Sequence, residues 1–228
     1  MSERLLLVGH GRMGKLVESL APDAGFTVVG TIDSSTASDD AAWPAADVAV
    51  DFSIASAVPR TVQRLSITRT PIVIGTTGWQ DAEGSVRDTA TRAKLGVVAA
   101  ANFAIGVNIF LAVAERLGGL MAGQPAFGAW IHELHHAAKK DAPSGTALAL
   151  EARVKTAGFT AAIPIASTRA GAIPGIHTLG FDAASETITL THQARDRAAF
   201  ARGALLAARW IIGKQGWFSM ADVLNLAR

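Results

Sequence analysis

The first hundred residues alternate short apolar runs with longer segments of helical composition. The apolar runs have the length of β-strands and comprise Arg4–Val8, Phe26–Ile32, Val48–Phe52, Ile72–Ile74 and Val97–Ala100. The segments with helix-compatible composition are Arg12–Leu20, Ala55–Leu65 and Asp81–Leu95. Strands that are apolar throughout are buried on both faces, which is typical of a parallel sheet covered by helices. The pattern therefore predicts a doubly wound α/β domain with a parallel sheet.

The first apolar run leads directly into a glycine-rich segment. Its residues Gly9, His10, Gly11, Arg12, Met13 and Gly14 form the pattern G-x-G-x-x-G. Between a strand and a helix, such glycines permit a tight turn, close approach to a pyrophosphate and helix–strand packing. Asp33, at the end of the second predicted strand, can accept hydrogen bonds from an adenosine ribose. The segment predicts a Rossmann-type dinucleotide site in which Asp33 favours NADH, although Arg12 nearby leaves NADPH open.

Two further loops follow predicted strands of the same sheet. Gly75, Thr76 and Thr77 follow the fourth strand, and Ala100, Ala101, Asn102 and Phe103 follow the fifth. Ligands of open α/β sheets bind at the carboxyl ends of the strands. We therefore expect both loops to contact the nicotinamide-ribose end of the cofactor. Ordinary turn chemistry is the alternative for the first loop.

Composition excludes several classes of protein. The chain has 228 residues, a net charge of +2 and no cysteine, which excludes a disulfide scaffold, a cysteine nucleophile and a thiolate metal site. Residues 151–228 hold nine basic and five acidic side chains, yet no basic run is longer than Lys139–Lys140. This surplus fits an acidic small molecule better than a nucleic acid. No signal peptide or membrane span is evident, so we expect a soluble cytoplasmic protein.

The densest polar cluster of the chain lies between His132 and Thr146. Its first residues, from His132 to His136, match the H-E-x-x-H pattern of zinc proteases, which requires a helix. The preceding segment, Ala126–Glu133, alternates apolar and other residues as a strand does. In a strand the two histidines lie too far apart to share a metal ion. We therefore predict acid–base chemistry and no metal here.

The same cluster combines titratable groups with a predicted helix start. Histidine exchanges protons near neutral pH, and an adjacent lysine adds a positive charge and a second proton donor. Ser144 is a candidate N-cap for the helix Ala147–Ala157, and the free N–H groups of Gly145 and Thr146 can bind a carboxylate. These residues predict an anion pocket, with a solvated charged loop as the alternative.

The cluster also resembles a family signature. The run H-H-A-A-K-K-D-A-P-S-G-T-A is similar to the pattern H-H-x-x-K-x-D-A-P-S-G-T-A of the 4-hydroxy-tetrahydrodipicolinate reductase family, also called dihydrodipicolinate reductases. Further similar blocks in family order are G-R-M-G, Asp51–Ser53, Val73–Gly78, Ala100–Phe103, Arg169–Leu179 and Leu190–His192. These blocks cover nearly the whole chain.

The resemblance implies a reaction and residue roles. It implies NADH- or NADPH-dependent reduction of 4-hydroxy-tetrahydrodipicolinate to tetrahydrodipicolinate, with loss of water, in diaminopimelate and lysine biosynthesis. His135 would donate or accept a proton and Lys139 would donate one. His136, with Ser144, Gly145 and Thr146, would bind the substrate carboxylates. The alternatives are a non-catalytic NAD-binding sensor, which does not need the His–Lys cluster, and an amino-acid dehydrogenase of similar layout, which lacks the D-A-P-S-G-T signature.

The C-terminal third predicts a second, mixed sheet. Its strands would be Ala126–Glu133, Ala162–Ser167, His177–Phe181 and Glu186–His192, with helices at Ile105–Leu117, Ala198–Ile212 and Met220–Leu226. We predict a dinucleotide-binding domain in residues 1–103, with residues 213–228 packing back on it. Residues 104–212 would form an α+β domain for substrate binding and, as the resemblance implies, for assembly into a homotetramer. For Arg169 and His177 the sequence leaves two roles open: contact with the substrate, or a structural role at the strand ends.

Overall fold

The computed structural model describes residues 2–33 and 42–226. Its strands are β1 (Glu3–Val8), β2 (Phe26–Ile32), β3 (Val48–Asp51), β4 (Ile72–Ile74), β5 (Gly96–Ala99), β6 (Gly128–His135), β7 (Ile165–Arg169), β8 (Ile176–Asp182), β9 (Thr187–Gln193) and β10 (Gly216–Phe218). Its helices are α1 (Arg12–Leu20), α2 (Val58–Thr68), α3 (Glu83–Ala93), α4 (Ile105–Met121), α5 (Gly145–Thr156), α6 (Ala198–Ile211) and α7 (Met220–Val223). The chain forms two compact units, one ending at Ile105 and resuming at Ala198, the other spanning Gly106–Arg197.

The first unit contains a six-stranded sheet in the order β10-β5-β4-β3-β1-β2, with every pair parallel. Alternate residues of β1 enter opposite cores: Leu5 and Leu7 pack with α1 and α6, while Leu6 and Val8 pack with α2 and α3. Both faces of the strand are therefore buried, which is the physical reason for its unbroken apolar run. The predicted doubly wound α/β fold is confirmed.

The sequence did not indicate the edge strand β10. This strand has only three residues, and its pairing with β5 defines it. Three residues are too few to show alternation, and β10 begins with glycine, whereas the equally short Ile72–Ile74 is a run of β-branched residues. Both β10 and α7 lie in the first unit, where we expected the C-terminal residues to pack.

Helix α6 corrects the predicted domain boundary. We assigned residues 104–212 to the second domain, but the chain returns to the first unit at Ala198. The buried residues of α6 share a core with β1 and β3, and a Cβ at Gly203 would lie 1.7 Å from the carbonyl oxygen of Phe103. An Ala/Leu-rich amphipathic helix can pack on any apolar surface, so its own sequence does not determine which domain it joins.

The second unit contains a mixed four-stranded sheet in the order β7-β6-β8-β9. β6 pairs parallel with β7 and antiparallel with β8, and β8 pairs antiparallel with β9. Helices α4 and α5 pack on one face, where Ile131 and Leu179 are among the buried residues. The predicted α+β architecture with an open mixed sheet is confirmed. No described helix is long and apolar enough to cross a membrane.

Strand β6 extends two positions beyond the predicted end at Glu133. Its ladder with β7 continues to the pair His135–Arg169, so His135 lies on the strand rather than in the following loop. Ala129, Ile131, Glu133 and His135 are buried, and the residues between them are half-buried. Residues His132 to His135 of the H-E-x-x-H segment therefore lie on a strand, as the alternation before them predicted, and His136 follows its end, so His132 and His136 do not share a helix face.

Candidate active site

The glycine loop of the first unit has the geometry that its pattern predicts. Gly9 has φ +90° and donates its N–H to the carbonyl of Ile32 at 2.7 Å. A Cβ at Gly9 would lie 2.5 Å from the carbonyl oxygen of Phe52, and a Cβ at Gly14 would lie 2.1 Å from that of Gly9. Both positions require glycine, the first for the turn and the second for the close approach of α1 to the loop.

The middle glycine leaves space for a ligand. Gly11 is the N-cap of α1 without a side-chain hydrogen bond, and no atom lies within 4 Å of the position that its Cβ would occupy. The free N–H groups at such a helix start bind anions. A cavity of about 570 Å³ borders this loop and is lined by Gly9, His10, Gly11 and Asp33. A dinucleotide pyrophosphate fits this arrangement of open space and free amide donors.

The other predicted cofactor residues lie around this cavity or beside a second one. Arg12, Met13 and Gly14 form the first turn of α1, while Thr76, Thr77, Ala100 and Ala101 line a second cavity of about 350 Å³ in the same unit. Phe103 is buried, and the side-chain oxygen of Asn102 accepts the N–H of Ala104 at 2.9 Å. Gly75 packs so closely on the Phe52 ring that a Cβ would lie 2.1 Å from it.

Several cavity residues carry no sequence motif. Lys15, Trp43, Ile54, Ala57 and Arg60 line the larger cavity, contributed by α1 and by segments on either side of β3. They are single positions in ordinary helix or loop sequence. Sequence reasoning missed them because only the packing of α2 beside the glycine loop brings them to one place.

No role was predicted for the buried carboxyl group of Asp51, although Asp51–Ser53 is one of the blocks that resemble the family. Asp51 ends β3 with no exposed surface, and its Oδ1 accepts the N–H of Ser53 and the hydroxyl of Thr76, both at 2.8 Å. The backbone carbonyl of Asp51 accepts the N–H groups of Gly75 and Thr76. Asp51 therefore ties the loop after β3 to the loop after β4. Burial raises the pKa of Asp51, because the hydrogen bonds from Ser53 and Thr76 compensate only part of the lost hydration.

We expect Asp51→Asn to stabilise the protein at alkaline pH. A carboxyl whose folded-state pKa is raised favours folding below its unfolded pKa, and this contribution is lost as the pH rises through the folded value. The asparagine variant should therefore unfold at a higher temperature than the wild type at about pH 8, with the difference shrinking toward about pH 4. Thermal unfolding followed by circular dichroism measures it.

Asp47→Asn is the matched control for this prediction. Arg4 hydrogen-bonds the Asp47 carboxylate and lowers its pKa, so that substitution should be neutral or slightly destabilising at the same alkaline pH. A loss of stability in Asp51→Asn that grows with rising pH would show that the ionised carboxylate is required.

The second unit brings the His–Lys cluster into a defined polar network. The Glu133 carboxylate, with no exposed surface, contacts Nδ1 of His135 and accepts a hydrogen bond from Nη2 of Arg169 at 2.6 Å. The N–H of Ser144 also points to this carboxylate, at 3.3 Å. Strand β6 supplies Glu133 and His135, β7 supplies Arg169, and Ser144 precedes α5.

Two histidines meet at the centre of this network. The rings of His135 and His177 pack edge to face with centroids 5.0 Å apart, and Nε2 of His177 lies 3.1 Å from the hydroxyl of Ser144. Arg169 also donates to the carbonyl of Asp141 at 2.6 Å. Arg169 and His177, whose roles the sequence left open, thus contact groups of the predicted site.

Burial and charge set the protonation of these groups. Burial alone would raise the pKa of Glu133, but hydrogen bonds, chiefly from Arg169, and the nearby His135 hold that pKa at about 2. Burial lowers the pKa of His135, with Glu133 opposing and Lys139 reinforcing the effect. Burial, together with His135, lowers the pKa of His177 to about 4. Glu133 is therefore a carboxylate and His177 a neutral imidazole at neutral pH.

The remaining predicted residues border this network. Nζ of Lys139 lies 2.8 Å from Oδ1 of Asp141, and the half-buried His136 accepts the backbone N–H of Lys139 through its carbonyl. Ser144 is the N-cap of α5 as predicted, and its buried hydroxyl accepts the N–H of Ala147 at 3.3 Å. Gly145 is exposed at the start of the helix. Free amide donors at the start of α5 and the Lys139 side chain therefore border the network.

Three residues of the network lie close enough together to hold a metal ion. Ligand atoms of Glu133, His135 and His177 lie within 4.8 Å of one another. The Arg169 guanidinium on Glu133 already supplies a positive charge, and the His177 ring nitrogen Nε2 faces Ser144. This charge balance favours acid–base chemistry over metal binding.

Together, a Rossmann-type unit with a glycine loop and a second unit with an acid–base cluster define a pyridine-nucleotide oxidoreductase of two units. Family models describe the two parts: residues 3–103 match the N-terminus of dihydrodipicolinate reductase and residues 106–224 match its C-terminus. The chain belongs to the dihydrodipicolinate reductase family.

Individual relatives agree with this membership. A 4-hydroxy-tetrahydrodipicolinate reductase of Acidiphilium cryptum is 43% identical, over 95% of this chain and 94% of the relative. Another, of Christiangramia forsetii, is 33% identical over 97% of each chain. A solved dihydrodipicolinate reductase of Paenisporosarcina sp. TG-14, bound to dipicolinate, shares the fold with a TM-score of 0.81 and 22% identity, covering 97% of this chain and 99% of that one.

Proposed function

We propose that this chain reduces 4-hydroxy-tetrahydrodipicolinate to tetrahydrodipicolinate, with loss of water, using NADH or NADPH in the diaminopimelate/lysine pathway. The supporting observation is the network of the second unit, in which an acid–base histidine lies beside a helix start carrying free amide donors. Its cationic border suits a dicarboxylate, and the related solved reductase holds dipicolinate. A non-catalytic NAD-binding protein would not need this cluster.

In the proposed reaction the chain's residues bind the carboxylates and move the proton. The reduced nicotinamide, when bound, supplies the hydride. The amides of Gly145 and Thr146, with His136, bind the carboxylates at the start of α5, where the helix dipole favours negative charge. His135 delivers the proton from its ring. Lys139 is a second proton donor. Its ion pair with Asp141 is exposed, so breaking that pair to contact a substrate costs little free energy.

The direct test is a coupled assay. Pyruvate and aspartate semialdehyde with a synthase generate the substrate in place, and the loss of the absorbance of the reduced cofactor follows its oxidation. We expect turnover with NADH or NADPH that depends on the synthase. Turnover of aspartate with NAD in the absence of the synthase would favour the amino-acid dehydrogenase alternative, and no turnover in either assay would favour the sensor.

We further propose that NADH is preferred, because Asp33 lines the larger cavity beside the glycine loop. Asp33→Ala is expected to raise the KM for NADH by about 10-fold or more, since hydrogen bonds to a charged group contribute about 1.5–3 kcal/mol. The KM for NADPH should change less, because the carboxylate repels a 2′-phosphate. Initial rates at saturating substrate measure both values.

Asp88→Ala, at an exposed position of α3, is the control for Asp33→Ala and should leave both KM values unchanged. An equal increase for NADH and NADPH in Asp33→Ala would contradict a contact between Asp33 and the ribose.

We also propose that the chain assembles as a homotetramer in the cytoplasm. The sheet face opposite α4 and α5 carries the half-buried Trp130 and Leu134. Apolar side chains on a sheet face without a covering layer are typical of an interface. Light scattering coupled to size exclusion tests the tetramer, and Trp130→Glu should reduce its size.

A further inference from the structure

Glu133 and His135 lie on the same face of β6 because side chains alternate along a strand. The neighbouring ladders fix this register: Glu133 pairs with Ser167 and His177, and His135 pairs with Arg169. The spacing of two residues therefore places a carboxylate beside an imidazole on a rigid element. Neither side chain depends on a loop for its position.

The Glu133 carboxylate is a fixed anion rather than a proton carrier. Its partners are Nη2 of Arg169 at 2.6 Å, the N–H of Ser144 at 3.3 Å and Nδ1 of His135. Groups from β7, from the start of α5 and from β6 itself thus converge on one carboxyl. A buried carboxylate with a guanidinium partner and further hydrogen bonds stays ionised at neutral pH.

The contact with Nδ1 determines which nitrogen of His135 can exchange a proton. An imidazole that donates Nδ1–H to a carboxylate has its other nitrogen, Nε2, available for chemistry. A Cβ at Gly175 would lie 3.1 Å from Nε2 of His135, so the glycine leaves the space beside that atom without a side chain. Gly175 has φ +150°, a backbone conformation that other residues rarely adopt.

We propose that Glu133 is a positioning residue that holds Nδ1–H of His135 inward, so that Nε2 is the atom that delivers the proton in the proposed reduction. In the charged ring, both nitrogens carry a proton and Glu133 balances the charge. When Nε2–H passes its proton to the substrate, the ring becomes neutral and keeps the proton on Nδ1. The role rests on the proposed function for its chemical use, but the geometry of the pair is independent of it.

Four groups face His135 and contribute to its titration: Glu133 on β6, His177 on β8, Arg169 on β7 and Lys139 in the loop after β6. Glu133 is the anion among them. Replacing it with a neutral residue leaves the cations unopposed, so the pKa of His135 falls further. If His135 is the general acid, kcat/KM decreases as the pH rises through that pKa, and the decrease should occur at lower pH in Glu133→Gln.

The experiment combines kinetics with NMR of the full chain. Imidazole ¹⁵N shifts of the substrate-free protein, assigned with His135→Asn, report the tautomer and titration of His135. In the wild type we expect the neutral ring to carry its proton on Nδ1. In Glu133→Gln we expect a mixture of tautomers, titration at lower pH, and a decrease in kcat of about 10-fold to 100-fold, the range found when carboxylates that orient metal-bound histidines are removed.

Glu115→Gln is the control, because it removes a carboxylate of an exposed pair with Arg153 in the same unit. It should leave the tautomer, the titration and kcat unchanged. A decrease in kcat in Glu133→Gln with an unchanged His135 tautomer and titration would overturn the proposal. If Glu133→Gln does not fold, the wild-type spectrum alone tests the proposal, because a neutral His135 ring protonated on Nε2 would contradict it. If the imidazole ¹⁵N shifts of His135 are as expected but the protein has no reductase activity, the Glu133–His135 pair is supported and only the proposed function is refuted.

Discussion

Replacing His135 with alanine is expected to lower turnover by about 10²-fold or more, the usual contribution of a positioned acid–base group. His135 is buried at the end of β6, and its Nδ1 contacts the ionised Glu133 carboxylate. The KM values for both substrates should change much less than kcat. Steady-state rates in the coupled assay measure the effect.

His132→Ala provides a matched control on the same strand. His132 lies on the opposite face of β6, with its Nε2 3.0 Å from the hydroxyl of Thr168, and takes no part in the Glu133 network. Its removal should leave turnover near that of the wild type. If His135→Ala retained near-normal turnover, the proton role would belong to another group, for which Lys139 is the next candidate.

Replacing Gly14 with alanine is expected to destabilise the protein by about 2 kcal/mol or more, because an added methyl must displace packed backbone. Its Cβ would lie 2.1 Å from the carbonyl oxygen of Gly9, and no side-chain rotation can relieve contact with a backbone atom. The loop and the first turn of α1 would have to separate, so dinucleotide binding should also be lost. Urea unfolding measures the stability, and fluorescence titration with NADH measures the binding.

Gly11→Ala separates stability from binding. Its Cβ meets no atom within 4 Å and its φ of −73° suits any residue, so the loss of stability should not exceed about 1 kcal/mol, the cost of a poorer N-cap. The same methyl would occupy space next to the free N–H groups, so the Kd for NADH should rise. Equal stability losses in the two variants would contradict the close packing of Gly14.

Local sequence patterns were sufficient for most of the fold. The apolar run of β1 is buried on both faces, and the alternation before His135 marks a strand, so burial itself produces the patterns that reveal these elements. Two features lacked such a signal. The strand β10 is short and lacks the β-branched run that marks the equally short β4, and the apolar face of α6 does not specify which core it joins.

The functional residues divide in the same way. The glycine loop and the Ser144 cap were predictable because each acts through backbone groups a few residues away. The protonation of His135 was not predictable, because the network around it joins residues that are distant in the chain. Arg169 is 36 residues from its partner Glu133, and His177 is 33 residues from its partner Ser144.

By itself, the sequence determined the order of the strands and helices apart from β10, the turn that can bind a pyrophosphate and the presence of a titratable cluster, since these follow from local composition and spacing. Only the tertiary structure decided which groups surround each titratable side chain. Burial and nearby charges set the ionised state of Glu133 and the neutral state of His177, and strand pairing brings the Glu133 carboxylate to Nδ1 of His135. Protonation depends on neighbours in space, and strand pairing rather than sequence distance selects those neighbours.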